Sequence, residues 1–385
     1  MDHSREDLDR LAAALNDGVV GTERRVEEPR PDGKTGALIE WLAAVRAYDG
    51  SDLLLVAGTT PTIRAKGRLW PASATLLDGS DVFAAVEPYV PERLRTRYAA
   101  GEAVDVGFEL PPLGRFRMNL HRERQRCAAA IRALPLTIPT LADLRFSHDV
   151  SMLARLPRGL VLVCGPTGSG KTTTLATLVE IVNERDERHI ITIEDPVEYT
   201  HSHGRSVIEQ IEIGIDAPDF PTALRAAVRQ APDVIVVGEM RDPETMRMAL
   251  AAAETGHLVF ATIHATDVAA AVSRITDAFP VERQNAVRQE LAMALAAVLT
   301  QTLVPAPDGT LFPVAELLIV SYGARQHIRK HALQHLNQEI TITRKAGSFT
   351  LEESLARSVQ KGLLPREDAR LRAAHPDELD GLLNR

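Results

Sequence analysis

Val161–Cys164 is an apolar run that leads directly into Gly165-Pro166-Thr167-Gly168-Ser169-Gly170-Lys171-Thr172-Thr173, with the spacing G-x-x-x-x-G-K-T. Glycine has no Cβ, so the backbone N–H groups of Gly168, Ser169 and Gly170 can curl around an anion. A helix starting near Lys171 would aim its positive dipole end at the same point. The apolar strand Leu160–Cys164 before the loop, and Leu175, Leu178, Val179 and Val182 at helical spacing after it, supply the strand–loop–helix context the pattern requires. A triphosphate site follows: Gly165–Thr173 form the cradle for ATP, Lys171 reaches the β- and γ-phosphates, and Thr172 holds Mg²⁺.

Composition bounds the rest. A chain of 385 residues with 45% apolar residues exceeds one typical domain and can fill more than one core. The net charge of −8 argues against a duplex-DNA clamp or a polybasic membrane anchor, while leaving room for a local basic patch. Met1–Asp7 contains no apolar targeting core, and the longest apolar stretch, near Leu291–Val304, is broken by Thr300, Gln301 and Thr302. The expectation is a cytoplasmic protein, peripheral to a membrane at most, with no nucleic-acid partner. Cys127 and Cys164 cannot build a four-cysteine zinc cluster and read as reduced core residues.

Residues 1–35 are charged and contain Pro29, Pro31 and Gly33, and they read as a flexible extension. Residues 36–134 mix a helix at Ala37–Tyr48 with short strands near Asp52–Val56, Val104–Leu110 and Arg115–Arg122, a small α+β domain. Residues 135–146 read as a linker. From 147 to 385 the chain reads as α/β: Leu160–Cys164, Ile190–Ile193, Val234–Val237 and Leu258–Thr262 suit a parallel sheet buried on both faces. Beyond Arg283 the pattern predicts mostly helix, with Pro305–Pro313 as a loop and Phe349–Arg385 as a helical tail.

Carboxylates and imidazoles gather where a nucleotide would lie. Glu194, Asp195 and Glu198 follow a predicted strand, at the edge where parallel strands collect around ligands, and are candidates for contact with hydrated Mg²⁺ and for water activation. Glu239 ends the apolar run Val234–Val237, the layout that sets an acid against Mg²⁺ through water. His257 and His264 bracket the next strand, and both are expected near the ligand edge, sensing γ-phosphate or polarising water. Arg115-Phe116-Arg117-Met118-Asn119-Leu120-His121 alternates strictly, placing Arg115 and Arg117 on one polar face that can clamp phosphate, although taken alone such a strand is more often a solvated sheet face. His327, His331 and His335 stand at i, i+4, i+8 on an expected helix, where a partly exposed face is favoured over metal binding.

Four ordered segments, GPTGSGKTTT, TIEDPVEY, LRAAVRQAPDVIVVGEMRD and GHLVFATIHATD, resemble the Walker A, Asp, Walker B and His boxes of the secretion-superfamily ATPases. Within it, the chain from Ile39 to Ala373 resembles the type IV pilus retraction (twitching motility) ATPases, the PilT family. The resemblance implies a PAS-like N-terminal domain and a RecA-like P-loop ATPase domain with a parallel-strand core. It implies a homohexameric ring with ATP between subunits and, in the pilus machine, an inner-membrane platform protein as partner. It implies that Glu198 is the general base, Glu239 the Walker B acid, and Arg115 or Arg117 a residue donated to the neighbour's nucleotide. Without a cysteine cluster or a long extra N-terminal domain, retraction is favoured over assembly or type II secretion. An accessory retraction motor and a non-hydrolysing ring subunit are the other readings. Gly323–Lys330 keeps the retraction family's A-I-R-N-L-I-R-E motif only in part, with His327 and Lys330 in place of Leu and Glu.

Overall fold

The structure, a computed structural model, describes residues 35–384, so all but the last residue of the extension read at residues 1–35 lies outside the described residues, and Thr35 itself opens a helix. The chain divides into two compact units, the first ending at Leu136 and the second beginning at Thr137. The first comprises α1 (Thr35–Ala47), β1 (Gly50–Val56), β2 (Thr62–Ala65), β3 (Arg68–Pro71), α2 (Gly79–Val86), α3 (Glu92–Ala99), β4 (Val104–Leu110), β5 (Gly114–Glu123) and β6 (Arg126–Ala133). Its six strands form one antiparallel sheet in the order β3-β2-β1-β6-β5-β4.

Alternation decides which sheet face is covered. Phe116, Met118 and Leu120 of β5 are buried with Leu53, Leu55, Ile63 and Ile131, and Leu38, Leu42, Val45, Val82 and Val86 of the helices close this core. Arg115, Arg117, Asn119 and His121 fall on the other face. Arg46 ties the end of α1 to the sheet, donating from Nε to the Leu113 carbonyl at 2.9 Å and from Nη2 to that of Leu134 at 2.7 Å. Asp78 caps α2 in a reciprocal pair with Asp81.

The second unit contains β7 (Gly159–Cys164), α4 (Lys171–Arg185), β8 (His189–Glu194), β9 (Val207–Glu212), α5 (Phe220–Ala227), β10 (Val234–Val237), α6 (Pro243–Glu254), β11 (Leu258–Ile263), α7 (Val268–Asp277), α8 (Val281–Ala294), β12 (Leu295–Pro305), β13 (Leu311–Ile319), α9 (Tyr322–Arg329), α10 (Leu336–Ile342), α11 (Leu351–Gln360), α12 (Arg366–Arg372) and α13 (Pro376–Leu383). Seven strands align as β13-β12-β7-β11-β10-β8-β9, all parallel except β13. Successive residues of β7 serve opposite cores: Leu160 and Leu162 pack towards α6 and α8, Val161 and Val163 towards α4. This two-sided burial is why the strands read as unbroken apolar runs. Cys127 and Cys164 are both buried and free, one in each unit.

Two expectations are corrected. Beyond Arg283 helices predominate as expected, but residues 295–305 extend the parallel sheet beside β7, and most of the expected Pro305–Pro313 loop is taken up by a tight turn and the start of β13. Val298, Thr300, Thr302 and Val304 are β-branched and prefer this extended setting, whereas the neighbouring Ala and Leu residues suggested helix. The three histidines do not share a helix. α9 stops at Arg329 and His331 adopts a left-handed φ of 55°, so only the rings of His327 and His335 meet, with centroids 5.1 Å apart. Among the described residues no group of three or more His, Cys, Asp or Glu is placed to hold a metal ion.

Glu316 of β13, half-buried, points from this added hairpin towards the start of α7. Its Oε1 accepts from the Val268 backbone N–H at 3.0 Å, at the start of α7. Burial raises its pKa to about 7, with Asp267 and Glu352 adding to the rise and the Val268 bond opposing it. A carboxyl raised in the folded state holds extra proton there, so the stability it contributes is present at acidic pH and lost as pH rises through the folded value. Glu316→Gln keeps the acceptor and removes the charge. Between about pH 5 and about pH 8 the variant is expected to gain about 1–3 kcal/mol over the parent in urea unfolding followed by far-UV dichroism. A parallel pH dependence in both proteins would refute the assignment.

Candidate active site

The phosphate loop leaves the carboxyl end of β7, and three glycines give it its shape. Gly165, Gly168 and Gly170 have φ of 151°, 77° and 83°. A Cβ on Gly165 would lie 2.3 Å from the Gln301 carbonyl oxygen, so only glycine lets the loop turn against β12. Lys171 Nζ donates to the carbonyls of Gly165 at 3.0 Å and Pro166 at 2.9 Å and lies 3.4 Å from His264 Nδ1. Burial lowers the Lys171 pKa, and Glu239 opposes that shift. Among the described residues the buried Ser169 hydroxyl has no hydrogen-bond partner. An orphaned donor, an ammonium folded back on carbonyls and a helix N-terminus at one point fit a phosphate chain.

Glu239 lies just beyond β10. Its Oε1 is 3.1 Å from His264 Nε2 and its Oε2 is 2.8 Å from Arg241 Nη2. Burial would raise this carboxyl, but Arg241, His264 and Lys171 together hold it below its ordinary value. Lys171, His264, Glu239 and Arg241 thus form one connected polar chain at the carboxyl edge of the sheet. Thr262 Oγ1 donates to the Gly238 carbonyl and fixes β11 against the turn that carries Glu239.

The other acids separate by burial. Glu194 is nearly enclosed and its pKa is raised by burial, against hydrogen bonds from Thr192 at 2.7 Å and Gln210 at 3.1 Å. With Thr172, Tyr199 and His201 it lines a small cavity of about 30 Å³, close to the volume of one water. Asp195 is exposed and Glu198 half-buried. Glu198 forms no ion pair among the described residues, unlike Glu239. Thr173 reaches the same segment through a 3.0 Å hydroxyl contact with Tyr199.

His257 is not at this edge. It precedes β11, pairing at the Gly159 end of β7, whereas His264 follows β11 beside Cys164 and the loop. Six residues of extended strand, about 20 Å, separate the two ends. Its Nδ1 instead lies 2.9 Å from the Ala252 carbonyl, so it caps the end of α6. Arg115 and Arg117 lie on the polar face of the first unit's sheet, where Arg117 Nε is 3.7 Å from Asp105.

Residues that the sequence reading did not single out complete the site. Gln301, buried in β12, donates from Nε2 to the Ser169 carbonyl at 2.7 Å and accepts from Thr174 Oγ1 at 2.9 Å, bracing the loop and the first helical turn on either side of Lys171. Its signal was a polar amide inside an apolar run. Arg241 was legible as a cation two residues beyond the strand-end acid.

The family described as type II/IV secretion system protein matches residues 136–356. The chain is 39% identical over 325 residues to the twitching motility protein of Neisseria gonorrhoeae, covering 84% of this chain and 87% of that one. It is 38% identical over 340 residues to the type IV pilus retractation ATPase PilT of Pseudomonas aeruginosa, covering 88% and 99%. The crystal structure of the pilus retraction motor PilT with bound ADP superposes with a TM-score of 0.82 at 37% identity, over 89% of this chain and 98% of that chain. With the phosphate loop and strand-end acid set on this fold, this chain belongs to the type II/IV secretion ATPases, in the PilT family of type IV pilus retraction ATPases.

Proposed function

We propose that this chain is an ATP-driven motor for type IV pilus retraction, working as a homo-oligomeric ring, expected to be a hexamer, against an inner-membrane platform protein at the cytoplasmic face. The observation that carries the reading is the connected set Lys171–His264–Glu239 beside the phosphate loop. Lys171 now spends its donors on neutral carbonyls, and a phosphate offers a stronger charge-assisted partner. Mg²⁺, when bound, supplies positive charge to the β- and γ-phosphate oxygens, and Thr172 and, through water, Glu239 are the residues that would hold it.

The environments of the two acids support dividing their roles. Glu239 is tied to Arg241 and His264 and held in its ionised form, which makes it a poor base and a good acceptor for hydrated metal. Among the described residues Glu198 has no cation paired to it, and it is the better candidate to orient and deprotonate water. His264, bridging Lys171 and Glu239, is suited to register γ-phosphate at both. Arg115 and Arg117 are proposed to complete a neighbour's site, where a guanidinium supplied in trans stabilises charge on the transferring group.

Deleting the gene is expected to leave cells with excess surface pili and no twitching; loss of pili would instead assign the chain to assembly. In purified protein, Glu198→Gln should keep ATP binding and lose on the order of 10²–10⁴ in turnover. Glu239→Gln should weaken Mg²⁺-dependent binding, and if it alone traps bound ATP the two roles must be exchanged. Gln301→Leu leaves the Ser169 carbonyl and Thr174 hydroxyl unpaired, a cost of about 1–3 kcal/mol. An increase in the ADP Kd of about ten-fold with unchanged far-UV dichroism is expected, and an unchanged Kd would show that Gln301 does not shape the loop for nucleotide.

A further inference from the structure

The first unit carries a surface that the nucleotide chemistry does not use. β2 and β3 form a hairpin turned by Lys66 and Gly67, both at positive φ, and β3 is the edge strand of the sheet. All four residues of β3 are exposed. Trp70 pairs across from Ile63, on the side where the sheet is covered by helices, yet α1 does not reach it and it stays 53% exposed. Tyr48, just past α1, is 66% exposed, and with Ala65, Lys66, Arg68 and Trp70 it lines a depression of about 320 Å³. Leu69, on the opposite face of the strand, is 55% exposed. The hairpin is therefore apolar on both sides at its outer strand.

Its charge is one-sided. From Leu53 to Leu77 the sequence has no Asp or Glu, while Arg64, Lys66 and Arg68 fall within it, in a chain whose net charge is −8. Among the described residues Lys66 and Arg68 have no ion-pair partner, and Arg64 has only Asp52 at 3.8 Å. A strand-adding protein partner is disfavoured, because β3 is four residues long and ends in Pro71, which has no N–H to donate. An exposed indole, phenol and leucine flanked by lysine and arginine is the chemistry of an interface between acyl chains and anionic headgroups. We propose that the Lys66–Trp70 hairpin docks this protein on an anionic lipid bilayer, with Trp70 and Leu69 entering the headgroup layer and Lys66 and Arg68 contacting lipid phosphates. This is a local patch on an otherwise acidic protein, so attachment is reversible and depends on salt.

The chain contains its own reporter. Of its two tryptophans, Trp41 is 9% exposed in the core and Trp70 lies on the patch, so a change in emission on adding vesicles reads Trp70. Full-length protein mixed with phosphatidylglycerol–phosphatidylcholine vesicles at low salt should co-sediment and shift its emission to the blue, and should do neither with phosphatidylcholine alone. Each cation near an anionic surface contributes about five-fold to partitioning. Lys66→Glu with Arg68→Glu should therefore lower binding by about 25-fold or more, with ATP turnover in solution within about two-fold of the parent. Trp70→Ser should abolish the emission shift. Equal binding to neutral vesicles, no shift with anionic ones, or undiminished binding of the double variant would overturn the proposal. A hairpin variant that instead lowers the mass of the assembled protein would assign the patch to contact between copies of this chain.

Discussion

The close approach of the phosphate loop to β12 is the constraint on which the catalytic unit depends. Gly165 turns with no room for a Cβ because the Gln301 carbonyl is in the way, and the Gln301 amide then clamps Ser169 and Thr174 on either side of Lys171. A loop with its N–H groups pointed inward repels itself electrostatically unless something holds it. Here the holding is done by a neighbouring strand rather than by the loop. Because β12 also pairs with β13, and Phe312 and Val314 of β13 pack with Leu355 of α11, the loop is joined to the C-terminal helices through continuous packing.

The second organising feature is electrostatic. Lys171 and Glu239 are drawn together at the end of a largely apolar sheet, with His264 between them. In that setting each charge is stabilised by the others, and removing one leaves its partners costly to keep. The same logic divides the acids of the site: Glu194 is enclosed and raised, Glu239 is paired and lowered, and Glu198 forms no ion pair among the described residues. Three carboxylates at the ends of adjacent strands thus become chemically different groups through their surroundings alone.

The surface of the first unit follows a different economy. Its sheet is covered on one face, leaves Arg115 and Arg117 on the other, and ends in a hairpin that extends past its covering helix. An edge strand guarded by Pro71 and cations is protected against pairing with another strand, while its side chains stay available for a softer surface. The features that block one kind of association permit the other.

Local chemistry was legible in the sequence. The phosphate loop could be read because glycine spacing, an apolar strand and a following helix are all contained within a short segment, and the same holds for Glu239 at the end of Val234–Val237 and for the alternation of β5. What depended on distant neighbours was not. His257 and His264 flank one strand and read as equivalent, but parallel pairing with β7 sends them to opposite edges, and only His264, past the carboxyl end of β11, is on the side where ligands gather. Leu295–Pro305 read as helix because alanine and leucine suit either state, until pairing with β7 and β13 favoured extension. Gln301 stands far along the chain from the loop it braces, so no local pattern could link them. Composition and spacing determined that this chain binds a triphosphate on a buried parallel sheet. Only tertiary structure decided which side chains meet there, because hydrogen bonds and burial are set by distance in space rather than along the chain.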